Sequence, residues 1–73
     1  MKINIQYLDR FKETRHTYLY PVSRGVYLSF YKPTLEYIGV EVCYSHGNYV
    51  KMQQQADDLI SKLLARDILE TTL

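Results

Sequence analysis

The side chains with chemical reach in this 73-residue chain are two histidines, His16 and His46, one cysteine, Cys43, and eight tyrosines. Cys43 and His46 stand three apart, and with the distant His16 they would supply three zinc ligands. A closed structural zinc site needs four, and a free cysteine beside a turn histidine is ordinary at a strand end, so neither metal nor cofactor is expected. Nucleophilic catalysis by Cys43 would require a base held by an orienting group, and no local signature of one surrounds it. A small ribonuclease would combine His16 as acid or base, Glu36 or Glu41 as its partner and Arg15 against phosphate charge. Nothing in their spacing brings these groups together. Gly25, Gly39 and Gly47 are isolated, so no glycine-rich phosphate cradle is encoded. The chain is therefore expected not to be an enzyme.

The tyrosines carry a different message. Eight tyrosines and two phenylalanines, with no tryptophan, make an aromatic-rich composition for so short a chain. A tyrosine ring offers large apolar area at small rotamer cost and keeps a hydroxyl for one directional hydrogen bond, which suits a binding surface. The competing explanation is that tyrosine is a good strand former whose rings pack across strands and bind nothing.

Composition narrows the setting. Nine Lys and Arg against eight Asp and Glu leave a formal charge of +1, which lacks the dense basic footprint of sequence-independent nucleic-acid binding. With 47% apolar and 23% charged residues the chain has enough hydrophobic material to fold, and its length fits one small domain spanning residues 1–73. A single cysteine allows no internal disulfide, and Met1 to Gln6 alternates without an unbroken apolar run, so a cytoplasmic protein without signal or membrane segment is expected.

The elements that must position these residues follow from periodicity. Ile3, Ile5 and Tyr7 alternate with Asn4 and Gln6, predicting a strand over 2–8. After a charged connection, a second strand is expected over 14–22, ended or confined to an edge by Pro21. The run Pro21-Val22-Ser23-Arg24-Gly25 reads as a turn. Strands over 26–31 and 35–44 follow, separated by a turn at Lys32-Pro33-Thr34, and Gly39 within the last one marks a bulge or a local twist. From Tyr49 the period lengthens. Met52, Ala56, Leu59, Ile60, Leu63 and Leu64 form one apolar stripe of a helix over 49–69, with Asn48 or Ser45 as its N-cap. Ile68 and Leu69 lie off that stripe, and would either extend a dimer contact or fray.

The expected fold class is α+β: a four-stranded antiparallel meander with one C-terminal amphipathic helix on one face, ββββα. Taking Leu19, Val26, Leu28, Phe30, Ile38, Val40 and Val42 as inward, alternation sends Tyr18, Tyr20, Tyr27, Tyr31 and Tyr37 to the uncovered face. Those five tyrosines, with Arg24 and Lys32 as steering charges at the rim, are the expected partner-binding residues.

The reading that follows is a non-catalytic protein-binding module. A compact chain of this kind looks like the small inhibitors encoded by phages and mobile elements, for example against host restriction or CRISPR nucleases, a comparison of type without a motif behind it. The alternative is a single-stranded DNA or RNA binder that stacks bases on the same rings. In outline, four strands and a C-terminal helix are similar to single-stranded nucleic-acid-binding modules of the purine-rich-element type, with no residue motif carrying the likeness. An open edge strand would also allow pairing with a second copy. Because the helix must rely on its packed face, Leu63→Asp is expected to abolish the cooperative thermal transition followed by circular dichroism.

Overall fold

Leu28 and Phe30, two apart on the central strand, are both fully buried, and their side chains define the face of the sheet on which the core is built. The computed structural model describes residues 1–43 and 48–71. In chain order its elements are β1 (Lys2–Ile3), a 3-10 helix (Ile5–Arg10), β2 (Lys12–Glu13), β3 (Thr17–Ser23), β4 (Val26–Tyr31), β5 (Tyr37–Val42), α1 (Tyr49–Ala65) and β6 (Leu69–Glu70). Strands β2 to β5 form an antiparallel sheet in chain order, while β1 pairs antiparallel with β6. Ala56 and Leu63 of α1 pack into one core with Leu28, Phe30, Ile3, Phe11, Ile68 and Leu69. The α+β class with a four-stranded meander and one C-terminal helix is thus the observed architecture.

The first strand of that meander is not the expected one. Residues 2–8 do not form a strand, because Asn4 interrupts them: its side-chain oxygen accepts the Gln6 N–H at 3.1 Å and caps the 3-10 helix that begins at Ile5. Ile5 is left exposed. The sheet instead starts at Lys12–Glu13, within the stretch expected to be a surface connection, held there by a turn in which Thr14 N–H donates to Thr17 O at 2.9 Å. β1 is only two residues long, yet it bridges two parts of the fold. Ile3 N–H donates to Leu35 O and Tyr37 N–H to Met1 O, both at 2.9 Å, while Lys2 and Ile3 pair with Glu70 and Leu69.

Between β3 and β4 the connection is tighter than the expected five-residue turn. Ser23 pairs with Val26, so only Arg24 and Gly25 link the strands, with Gly25 at φ 75, and Pro21 lies inside β3. Proline is tolerated there because β2 reaches only Tyr18 and Leu19, leaving the outer edge beside Pro21 without a strand to bond. The irregularity expected at Gly39 is present. The β4–β5 register shifts between Ser29, opposite Gly39, and Phe30, opposite Tyr37, so one extra residue enters β5. Gly39 has φ +136, a region open almost only to glycine.

The helix starts where Asn48 accepts the Lys51 N–H at 3.0 Å; the competing cap Ser45, like Tyr44 at the expected end of the fourth strand, lies outside the described residues. It ends at Ala65, four residues short of the expectation. Asp67 takes a left-handed φ of 62, and Ile68 N–H then donates to Leu63 O at 3.0 Å while Asp67 N–H donates to Leu64 O at 3.2 Å. This Schellman-type closure turns Ile68 back onto Leu63, and both are buried. Ile68 and Leu69 therefore neither fray nor remain free for a dimer contact: they belong to the core. Asn4 locks the closure from across the molecule, donating Nδ2–H to Asp67 O and N–H to Ile68 O, each at 2.9 Å.

Two left-handed positions respond to substitution with opposite signs. Gly39→Ala is expected to cost about 1–3 kcal/mol through backbone strain, since a Cβ there would meet nothing within 4 Å. Asp67→Gly is expected to gain roughly 0.5–1 kcal/mol by relieving a left-handed non-glycine residue. Urea unfolding midpoints measure both.

Candidate functional site

The cross-strand register decides which aromatic rings reach the surface. Tyr18 pairs with Phe30 and Tyr20 with Leu28, and directly paired residues share a face, so both tyrosines lie on the helix side of the sheet. Leu19, expected to point inward, faces the other way opposite Ser29. In β5 the extra residue inverts the expected alternation at its start. Tyr37 packs on Phe30 with centroids 5.4 Å apart, whereas Ile38, assigned to the core from sequence, is turned out and 60% exposed. Tyr18, Tyr20 and Tyr37 are thus half-buried against the core and do not join the uncovered face. The five-tyrosine platform reduces to two.

Of the two cations expected to steer partners, Lys32 is committed within the fold. Its Nζ lies 2.8 Å from Glu13 Oε2, donates to Thr14 O at 3.1 Å and sits 5.6 Å from the Tyr18 ring centroid. Lys32 and Glu13 hold the end of the sheet on the helix side. Arg24 is exposed at the β3–β4 turn.

The uncovered face carries Lys12 of β2, Thr17, Leu19 and Pro21 of β3, Tyr27, Ser29 and Tyr31 of β4, and Gly39 and Glu41 of β5. None of these residues belongs to the core cluster beneath α1. Leu19 is nevertheless only 4% exposed. Its direct neighbours are Lys12 and Ser29 and its diagonal neighbours Tyr27 and Tyr31, so the sheet's own side chains shield it. Lys12 lays its stem across this layer and brings Nζ to 5.9 Å from the Tyr27 ring centroid. Tyr31 stands at the far end, 46% exposed. The result is a thin apolar layer with one cation and one carboxylate, Glu41, at its sides. Sequence reasoning missed Leu19 and Pro21 as members of this face, because it placed Leu19 in the core and Pro21 at a turn; it set Lys12 with Arg15 at the rim near the strand ends.

Of the groups considered for chemistry, His16 and Glu41 lie far apart. His16 is level with Lys32, whose N–H donates to His16 O at 3.0 Å, whereas Glu41 is level with Tyr27. Five residues of strand separate those levels, roughly 17 Å at the usual rise. Glu36 and Arg15 are exposed. Cys43 is a free, exposed thiol, and its expected companion His46 lies outside the described residues. Among the described residues no three His, Cys, Asp or Glu side chains gather as metal ligands would, and no helix is long and apolar enough to cross a membrane. No family model, curated protein or solved structure matches the chain.

One tyrosine on the helix side is electrostatically distinct. Burial, and then the negative charge of Asp57, hold the Tyr37 phenol above the ordinary value of 10.0. A raised folded-state value means that the unfolded chain releases this proton first on going to high pH. The corresponding stability is fully present below the unfolded value and is lost as pH rises through the folded one. Ultraviolet difference titration is expected to show Tyr37 ionising above pH 10.0, a step that Tyr37→Phe removes together with part of the alkaline loss of stability.

Proposed function

We propose that this chain is a non-catalytic protein-binding module that docks another macromolecule on the uncovered face of its sheet, with Tyr27 and Tyr31 as anchors. The observation that carries this reading is the face itself: two tyrosines over a buried Leu19, flanked by Pro21, with no helix on them. Rigid rings presented from a strand bury large area at little entropic cost, which is how a small interface acquires its energetic centre. Arg24, exposed at the β3–β4 turn, serves as a steering charge at the rim.

Such a domain acts by occupying a surface. Inhibition or adaptor activity is the natural consequence, in the cytoplasm and in the manner of the small inhibitors encoded by phages and mobile elements. Charge distinguishes this reading from single-stranded nucleic-acid binding. Lys12 and Glu41 offset one another on the face, Lys32 is already paired with Glu13, and the Tyr27 ring that a base would stack on is already attended by the Lys12 ammonium.

The test is capture from nuclease-treated lysate with wild-type protein and with Tyr27→Ala and Tyr31→Ala variants, their folding checked by circular dichroism. A protein retained by the wild type and lost by both variants is the expected result, each alanine weakening the purified complex by about tenfold or more. Raising salt from about 50 to 200 mM is expected to weaken binding by less than about tenfold, where six to ten phosphate contacts would cost ~10³ or more. Retention of nucleic acid in place of protein, or partner affinity unchanged in both variants, overturns the proposal.

A further inference from the structure

β1 lies against the start of β5, where Tyr37 N–H donates to Met1 O, but from Ile38 to Val42 the outer edge of β5 is strand backbone without a neighbouring strand among the described residues. Cys43 N–H donates to Gly25 O at 2.7 Å, and bonded and non-bonded pairs alternate along an antiparallel ladder. Carried down the register from Val26 opposite Val42 to Ser29 opposite Gly39, this alternation turns the amide groups of Glu41 and Gly39 toward β4. Those of Val40 and Val42 point outward.

The two edges of the sheet are treated differently. At the β2–β3 edge the outermost residues are Lys12 and Glu13, and beyond them Pro21 offers no N–H. Charged residues and proline at an edge discourage strand addition. From Ile38 to Val42 the β5 edge has neither lysine nor proline, and its only charge is Glu41. Its apolar side chains are also incompletely covered. Within the four-stranded sheet α1 packs chiefly over β3 and β4, leaving Val40 and Val42 half-buried on the helix side, and Ile38 is exposed.

We propose that this edge pairs antiparallel with β5 of a second copy of the chain, about a two-fold axis perpendicular to the sheet at Val40. Val40 then faces Val40, Val42 faces Ile38, and Glu41 faces Gly39. The sequence of the strand selects both occupant and register. Centring the axis on Glu41 would set two carboxylates directly opposite, which is destabilising. Centring it on Gly39 would require Tyr37, whose N–H is already given to Met1 O. Centring it on Val40 puts apolar against apolar at alternate positions and lays each Glu41 beside a glycine around which a Cβ would meet nothing within 4 Å. The strand is its own complement.

Light scattering over a concentration series tests the association, and cysteine pairing tests the register. Wild-type protein is expected to move from the 8.7 kDa monomer toward twice that mass as concentration rises. Val40→Pro, which removes an outward N–H and no bond to β4, is expected to raise the dissociation constant at least about tenfold. In a Cys43→Ser background, Val40→Cys is expected to oxidise to a covalent dimer while Glu41→Cys is not, because only the former places two sulfurs within bonding reach across the axis. A single monomer mass at all concentrations up to millimolar, or cross-linking through Glu41→Cys in preference to Val40→Cys, overturns the proposal. So does a folded Val40→Pro variant that dimerises as wild type does, and if that variant does not fold the two cysteine variants still decide the register.

Discussion

Phe30 is the contact on which the rest of the packing depends. It is fully buried at the centre of the sheet, with Phe11 5.5 Å away on one side and Tyr37 5.4 Å away on the other, and Phe11 continues to Tyr20 at 5.2 Å. These four rings join the chain before β2 to β3, β4 and β5 in one row, mostly in edge-to-face or tilted contacts that add to the area they bury. A domain of this size has a single helix to set against the sheet, and its composition offers two phenylalanines and no tryptophan. The core therefore recruits tyrosine for volume. Tyr7, Tyr18, Tyr20 and Tyr37 all pack against it half-buried, and among the described residues no buried side-chain polar atom lacks a partner.

That recruitment explains which part of the architecture can be read from residue pattern and which cannot. The strands after Thr17, the turn at Gly25, the irregularity at Gly39 and the amphipathic helix all rest on local signals: β-branched and aromatic runs, glycine, and a change of period from two to three or four. The assignment of faces does not. Alternation within β3 fixes that Tyr18 and Tyr20 oppose Leu19, but only the pairing of Leu19 with Ser29 shows which of them turns toward the helix. Leucine inside and tyrosine outside is a sound preference between isolated side chains. It fails here because two tyrosines cover more of the core than one leucine does, while Leu19 obtains its cover from Lys12, Tyr27 and Tyr31. In β5 a single extra residue is enough to exchange Tyr37 and Ile38 between core and surface.

The ends of the chain illustrate the same limit. Nothing in Lys2-Ile3-Asn4-Ile5 announces that its strand stops after two residues, since the reason lies 63 residues away. Asn4 bonds to Asp67 and Ile68, whose positions exist only because the helix has closed with a left-handed residue. Ile68 and Leu69 leave the helical stripe for the same reason, serving as core residues of a different element. Local propensity is overridden where a short segment can satisfy distant backbone groups.

One constraint links the uncovered face to the open edge. A two-fold axis that joins antiparallel β5 edges stands perpendicular to the sheet, so it carries the helix of each copy to one side and the tyrosine face of each copy to the other. In the proposed dimer, Tyr27 and Tyr31 of both copies lie on one continuous eight-stranded surface, separated by the paired β5 strands. Edge pairing occupies backbone amides, and face binding occupies rings, so neither competes with the other. In the proposed dimer a face carrying two anchors is doubled at fixed spacing, which raises avidity only toward a partner that itself presents two copies of the complementary surface.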